Sequence, residues 1–168
     1  MSGVPASAQL DLSPDGGWVA FRSEATDLVP GDTNDAWDVF LRDTCLDYWS
    51  LEPIQGCTPT TTRISSAPDG SQANGDSGAT AMNPEGPLAV SFGGRYVAFV
   101  SSATNLVAGD TNGVDDVFLA DTCRDDRWGA VAGCTPAIVR VSLRNDGSQT
   151  STPASGRTRR TAARDEKQ

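Results

Sequence analysis

Apolar side chains in this chain come in short alternating runs and not in long helical stretches. In "WVAFRS", Val19 and Phe21 fall on the face opposite Ala20, and in "DVFLRDT" Val39 and Leu41 alternate with Phe40 and Arg42. A period of two over about six residues predicts half-buried strands. "AQLDLSPDGG" reads as a strand ending in an Asp-Gly turn, and "TTTRISS", beyond a polar cysteine loop, reads as a fourth strand.

The whole order is then repeated. "GGWVAFRSEATDLVPGDTN" from Gly16 matches "GGRYVAFVSSATNLVAGDTN" from Gly93, with Phe21 and Phe99 setting an offset of 78 residues. "GDTNDAWDVFLRDTC" (Gly31 to Cys45) returns as "GDTNGVDDVFLADTC" (Gly109 to Cys123). "GCTPTTTRISSAPDGSQ" from Gly56 returns as "GCTPAIVRVSLRNDGSQ" from Gly133, at an offset of 77. A match sustained over about 60 positions marks a duplication, and a fixed period decides architecture. The predicted class is all-β, with four antiparallel strands per repeat of about 78 residues, the pattern of one β-propeller blade. Residues 1–72 form the first predicted blade and 73–149 the second. Residues 150–168 are a basic tail that breaks the pattern and reads as disordered or truncated.

"LSPDGGWVAF" and "VSFGGRYVAF" resemble the S-x-D-G-x-x-x-A-F core of TolB-type propeller repeats. "SSATNLVAGDTNGVDDVFLADT" is similar to the long-loop variety found in exported bacterial proteins. The second copy departs from the core, with Gly93 at the turn aspartate and an inserted "GATAMNPEGP" before its first strand. The resemblance covers about residues 8–149 and implies a propeller fold without fixing a function, because propellers host scaffolds, lectins and enzymes. Closed propellers have roughly four to eight blades. Two blades therefore imply several chains closing one ring, or the remainder of a longer propeller.

Composition narrows the partners. With 17 glycines, 10 prolines and 38% hydrophobic residues, the chain suits short strands and many turns. The net charge of -9 is concentrated outside the tail, residues 1–156 carrying 8 basic and 20 acidic groups. Such a body repels nucleic acid and anionic lipid and suits cations or neutral ligands such as sugars. No apolar run approaches the ~20 residues that span a bilayer. The first residues lack the basic and apolar regions of a secretion leader. Cys45 with Cys57, and Cys123 with Cys134, nevertheless bracket polar loops at spacings too wide for a zinc finger, and no histidine is present to complete such a site. Two hairpin disulfides are expected, each stabilising by about 3 kcal/mol in the loop-entropy model. Paired cysteines place the protein outside the cytoplasm, extracellular or periplasmic.

Candidate chemistry centres on the repeated loop. Asp32, Asn34 and Asp38 stand at its first, third and seventh positions, and Asp110, Asn112 and Asp116 repeat them. Alternate hard oxygen donors in a tight loop suit calcium, with Asp35 and Asp115 available to complete the set. Metal-free turns, in which Asp and Asn bond their own backbone, explain the same residues. The recurring Phe21, Phe40, Phe99 and Phe118 are assigned to the core, whereas Trp37, Tyr48, Trp49 and Trp128 on polar loops are candidate contacts for a carbohydrate or protein ligand. The absence of histidine excludes a Ser-His-Asp device. The expected role is non-enzymatic binding or assembly, with no catalytic residue assigned. The rival is a hydrolase using carboxylates, with or without calcium, on an ester, lactone, phosphotriester or glycoside.

Overall fold

The computed structural model describes residues 9–78, 86–125 and 129–153, which form two four-stranded antiparallel sheets and one two-stranded hairpin. In the first sheet β1 (Leu10–Leu12), β2 (Trp18–Ser23), β3 (Asp38–Asp43) and β4 (Thr61–Arg63) pair in chain order. In the second, β5 (Leu88–Val90), β6 (Tyr96–Ser101) and β7 (Asp116–Asp121) pair in order, and β10 (Ala137–Arg140) completes the edge beside β7. Between them β8 (Arg124–Asp125) and β9 (Gly129–Ala130) form a hairpin inside the second cysteine loop. Trp128 lies outside the described residues, as do 79–85 of the insertion and the tail from 154 onward.

The alternating runs became strands where the pattern placed them, with β1, β4 and β5 holding only three residues each. Beyond Arg63 the Ile64 amide still donates to Val39 O, at 2.7 Å. The Asp69–Gly70 turn then folds the chain back, closed by Ala67 N to Ser71 O at 2.9 Å. In the second sheet Gly93 replaces the turn aspartate, and the turn before β6 is a 3-10 segment over Phe92–Gly94.

Directly paired residues on neighbouring strands share a face. In the first sheet, Asp11, Trp18, Ala20, Val39 and Leu41 therefore look one way, and Leu10, Leu12, Val19, Phe21 and Phe40 the other. The first set meets the second sheet, which presents Val90, Val97, Phe99, Phe118 and Ala120, and these two sets make one hydrophobic core. Each large side chain fully buried there contributes about 1.5–3 kcal/mol. Phe99 and Phe118 stack at 5.9 Å between centroids, and Phe21 and Phe40 at 5.7 Å on the opposite side of the first sheet.

Polar contacts fix the same interface. Val90 N donates to Asp11 Oδ2 at 2.7 Å, and Gly93 N donates to Asp15 Oδ2 at 3.1 Å. Trp18 lies flat against Gly94, whose φ is +70° and whose added Cβ would stand 2.5 Å from Trp18 Cδ2. Only glycine meets both demands at this position. The Arg124 guanidinium lies 4.9 Å from the centroid of the Trp18 ring.

Candidate functional site

The repeated Asp/Asn loops come together around a residue that the spacing of the loops does not include. In the first sheet, β3–β4 pairing sets Arg63 opposite Phe40. Its Nη1 stands 3.2 Å from Asp32 Oδ1 and 3.6 Å from Asp38 Oδ2. It also donates to Gln72 Oε1 at 2.9 Å. Asn34 Nδ2 donates to Asp38 Oδ2 at 3.0 Å, and the Ser65 hydroxyl donates to Asp38 Oδ1. Gln72 ties the loop from beyond, accepting from Thr33 N at 3.0 Å and donating to Gly31 O at 3.1 Å.

The second sheet repeats the arrangement bond for bond. Arg140 Nη1 stands 2.9 Å from Asp110 Oδ1 and 3.2 Å from Asp116 Oδ2. Asn112 donates to Asp116 Oδ2 at 2.8 Å, the Ser142 hydroxyl donates to Asp116, and Gln149 accepts from Thr111 N at 3.1 Å. The six residues read as a possible cation set are thus gathered, three and three, and a cation already stands among each three. Burial pushes the Asp38 carboxyl above the usual range, against the pull of Ser65, Asn34 and Arg63. Burial likewise pushes Asp110 up, opposed by Arg140.

The cysteines are joined as Cys45–Cys57 and Cys123–Cys134. Each pair sits beside an aspartate, Asp43 and Asp121, but with both sulfurs bonded no thiolate remains for a metal. Those aspartates serve the local backbone instead, since Asp43 Oδ1 and Asp121 Oδ1 accept from the amides of Cys45 and Cys123, at 2.9 Å in both repeats. They hold Cys45 and Cys123 at φ +53° and +56°. The first stapled loop presents Tyr48, Trp49, Leu51 and Ile54 together to solvent, Trp49 with 87% of its surface exposed. Tyr48 and Trp49 meet edge to face at 4.6 Å. Asp47 braces the loop from within, its Oδ1 accepting from Trp49 N at 3.1 Å and from Ser50 N at 3.0 Å. Leu51 and Ile54 escape a sequence reading because isolated aliphatics look like core. Trp37, by contrast, is half-buried under Arg22, whose guanidinium lies 4.9 Å from its ring.

A third surface becomes visible when corresponding positions of the two sheets are compared. Trp18 is 9% exposed and Tyr96 39%; Ile64 is 8% exposed and Val141 50%; Val90 is 7% exposed and Leu12 54%. In each pair the buried member faces the other sheet and the exposed member faces outward. The outer face of the first sheet therefore offers Leu10, Leu12, Val19 and Phe21, and that of the second offers Tyr96, Leu119, Val139 and Val141. Family models, curated proteins and solved structures yield no match to this chain.

Proposed function

We propose that this chain is an exported binding and assembly module of the β-propeller type, continued face to face by further blades of its own kind. The observation that carries the reading is the exposure difference just given. The contact between the sheets joins two unlike faces, and the outer faces are the same two halves left without a neighbour. Such a contact is heterologous, so its repetition closes a ring where the rotation between sheets divides a full turn. The sheets also splay as adjoining blades do: β1 packs on β5, whereas a groove of about 420 Å³ lined by Ile64, Ala67, Pro68, Ala137 and Ile138 opens between β4 and β10.

A second copy of this chain supplies that neighbour, because each outer face is the counterpart of the half that the other lacks. The native mass in solution tests this directly. Two to four copies of the 17.5 kDa chain are expected, matching the roughly four to eight blades of closed rings. A monomer at every concentration would sink the assembly half of the proposal.

The two arginines act as the resident cations of the Asp/Asn loops, in place of calcium. Six or more oxygens around one ion are what calcium needs. Here the carboxylates share a guanidinium, and an added divalent ion would be repelled by it. The same pairing weakens the hydrolase alternative, since Asp32, Asp38, Asp110 and Asp116 are committed to Arg63 and Arg140.

Ligand contact belongs to the stapled patch of Tyr48, Trp49, Leu51 and Ile54. A sugar site pairs a flat ring with polar groups, whereas aliphatic side chains beside the rings suit an apolar protein surface. The acidic body favours a neutral or basic one.

A further inference from the structure

We infer that Thr26, Asp27 and Leu28 of one copy clasp Gln149, Thr150 and Ser151 of a second copy. The inference rests on the head-to-tail continuation proposed above and names the loops that lock it.

Within one chain the corresponding lock is already closed. The loop after β6 reaches across to the end of the first repeat. Asn105 Oδ1 accepts from Asn74 N at 3.0 Å, and Asn105 Nδ2 donates to Gln72 O at 2.8 Å. Thr104 N donates to Asn74 Oδ1 at 2.8 Å, and Asn74 Nδ2 donates back to Thr104 Oγ1 at 2.9 Å. Beneath these four bonds Leu106 is fully buried and joins Ala73 and Ala103 in the core. Hydrogen bonds and apolar burial coincide there, so the lock is specific as well as adhesive.

The positions of both halves recur at the outer ends, with Asp27 for Asn105, Thr150 for Ala73 and Ser151 for Asn74. "SSATNLV" (Ser101 to Val107) has its counterpart in "SEATDLV" (Ser23 to Val29), and "GSQAN" (Gly70 to Asn74) in "GSQTS" (Gly147 to Ser151). In the first, Thr26 and Asp27 are exposed, and Leu28 is 36% exposed where Leu106 is 0%. In the second, Thr150 Oγ1 is buried without a hydrogen-bond partner. A shallow polar depression lies over the same residues, lined by Thr111, Asn112, Arg140, Gln149, Thr150 and Ser151.

The outer lock is not an equal of the inner one, because Ser151 stands where Asn74 does and lacks the side-chain amide that makes two of the four inner bonds. Asp27 stands where Asn105 does, so its carboxylate accepts from Ser151 N but has no N–H for Gln149 O. That carbonyl meets an oxygen in place of a donor. Copies therefore join by a weaker version of the contact that holds the two repeats together, and the junction is reversible.

Sedimentation equilibrium of Asp27→Asn tests the assignment. The restored hydrogen bond is expected to tighten self-association by about five- to tenfold. Melting under dissociating conditions should stay unchanged, because Asp27 is exposed in the single chain. Leu12→Asp, which charges the outer sheet face away from the lock, serves as the reference. If Asp27→Asn leaves the dissociation constant unchanged while Leu12→Asp abolishes association, the lock is overturned and the continuation stands. If the unaltered chain and Asp27→Asn are both monomeric at every concentration, lock and continuation fail together.

Discussion

Arg63 and Arg140 illustrate what a single side chain does here. Each is the positive centre of a buried loop, and each was legible as a repeated residue in "TRISS" and "VRVSL". Its role was not legible, because 25 residues separate Arg63 from Asp38 along the chain and only the Phe40–Arg63 register brings them together. The oxygen pattern alone suits either a metal or an arginine, and sequence spacing does not choose. Arg63→Met leaves Asp32 and Asp38 buried without their counter-charge. A loss of about 3–5 kcal/mol in denaturant unfolding is expected. A chelator should leave the melting temperature of the unaltered protein where it was; a fall on chelation that calcium reverses would place a metal among these carboxylates. Trp37 carries the opposite lesson. A tryptophan on a polar loop looked available, yet Arg22 covers it.

At the scale of elements, the strands were legible because alternation and Asp-Gly turns act locally. The hairpin β8–β9 and the 3-10 turn at Phe92–Gly94 were not, since the first lies in a polar loop and the second follows from packing around Trp18. The stapled loop is braced by Asp47. The Ser50 amide and hydroxyl and the Trp49 amide hold the Asp47 carboxyl below its ordinary value of 3.8. A depressed carboxylate contributes stability above its unfolded value and loses it as pH falls through the folded one. Protection of the Trp49 and Ser50 amides should thus persist from neutral pH down to 3.8 and disappear below it. Asp38 and Asp110, pushed up by burial, work in the other direction. Their contribution is present in acid and lost as pH rises through the raised values, so the clusters do not open first on mild acidification. For the patch itself, Trp49→Ala is expected to weaken binding to a panel of neutral and basic apolar peptides by at least about tenfold. Binding confined to oligosaccharides would reassign the ligand class.

For the whole molecule, the repeat in sequence anticipated two equivalent sheets but not how they meet. Position by position, Trp18 and Tyr96, Ile64 and Val141, or Val90 and Leu12 are similar residues. What separates them is whether the other sheet lies against them, which no single repeat of the sequence encodes. The same reasoning makes the unlike character of the contact testable with two variants that each spoil one outer face. Leu12→Asp blocks the face of the first sheet and Val141→Asp that of the second. Measured by native mass, each variant alone is expected to be a monomer, and an equal mixture to form a dimer and nothing larger, since one good half of each kind remains. Self-association of either variant alone, or a mixture that stays monomeric while the unaltered chain assembles, would contradict head-to-tail continuation.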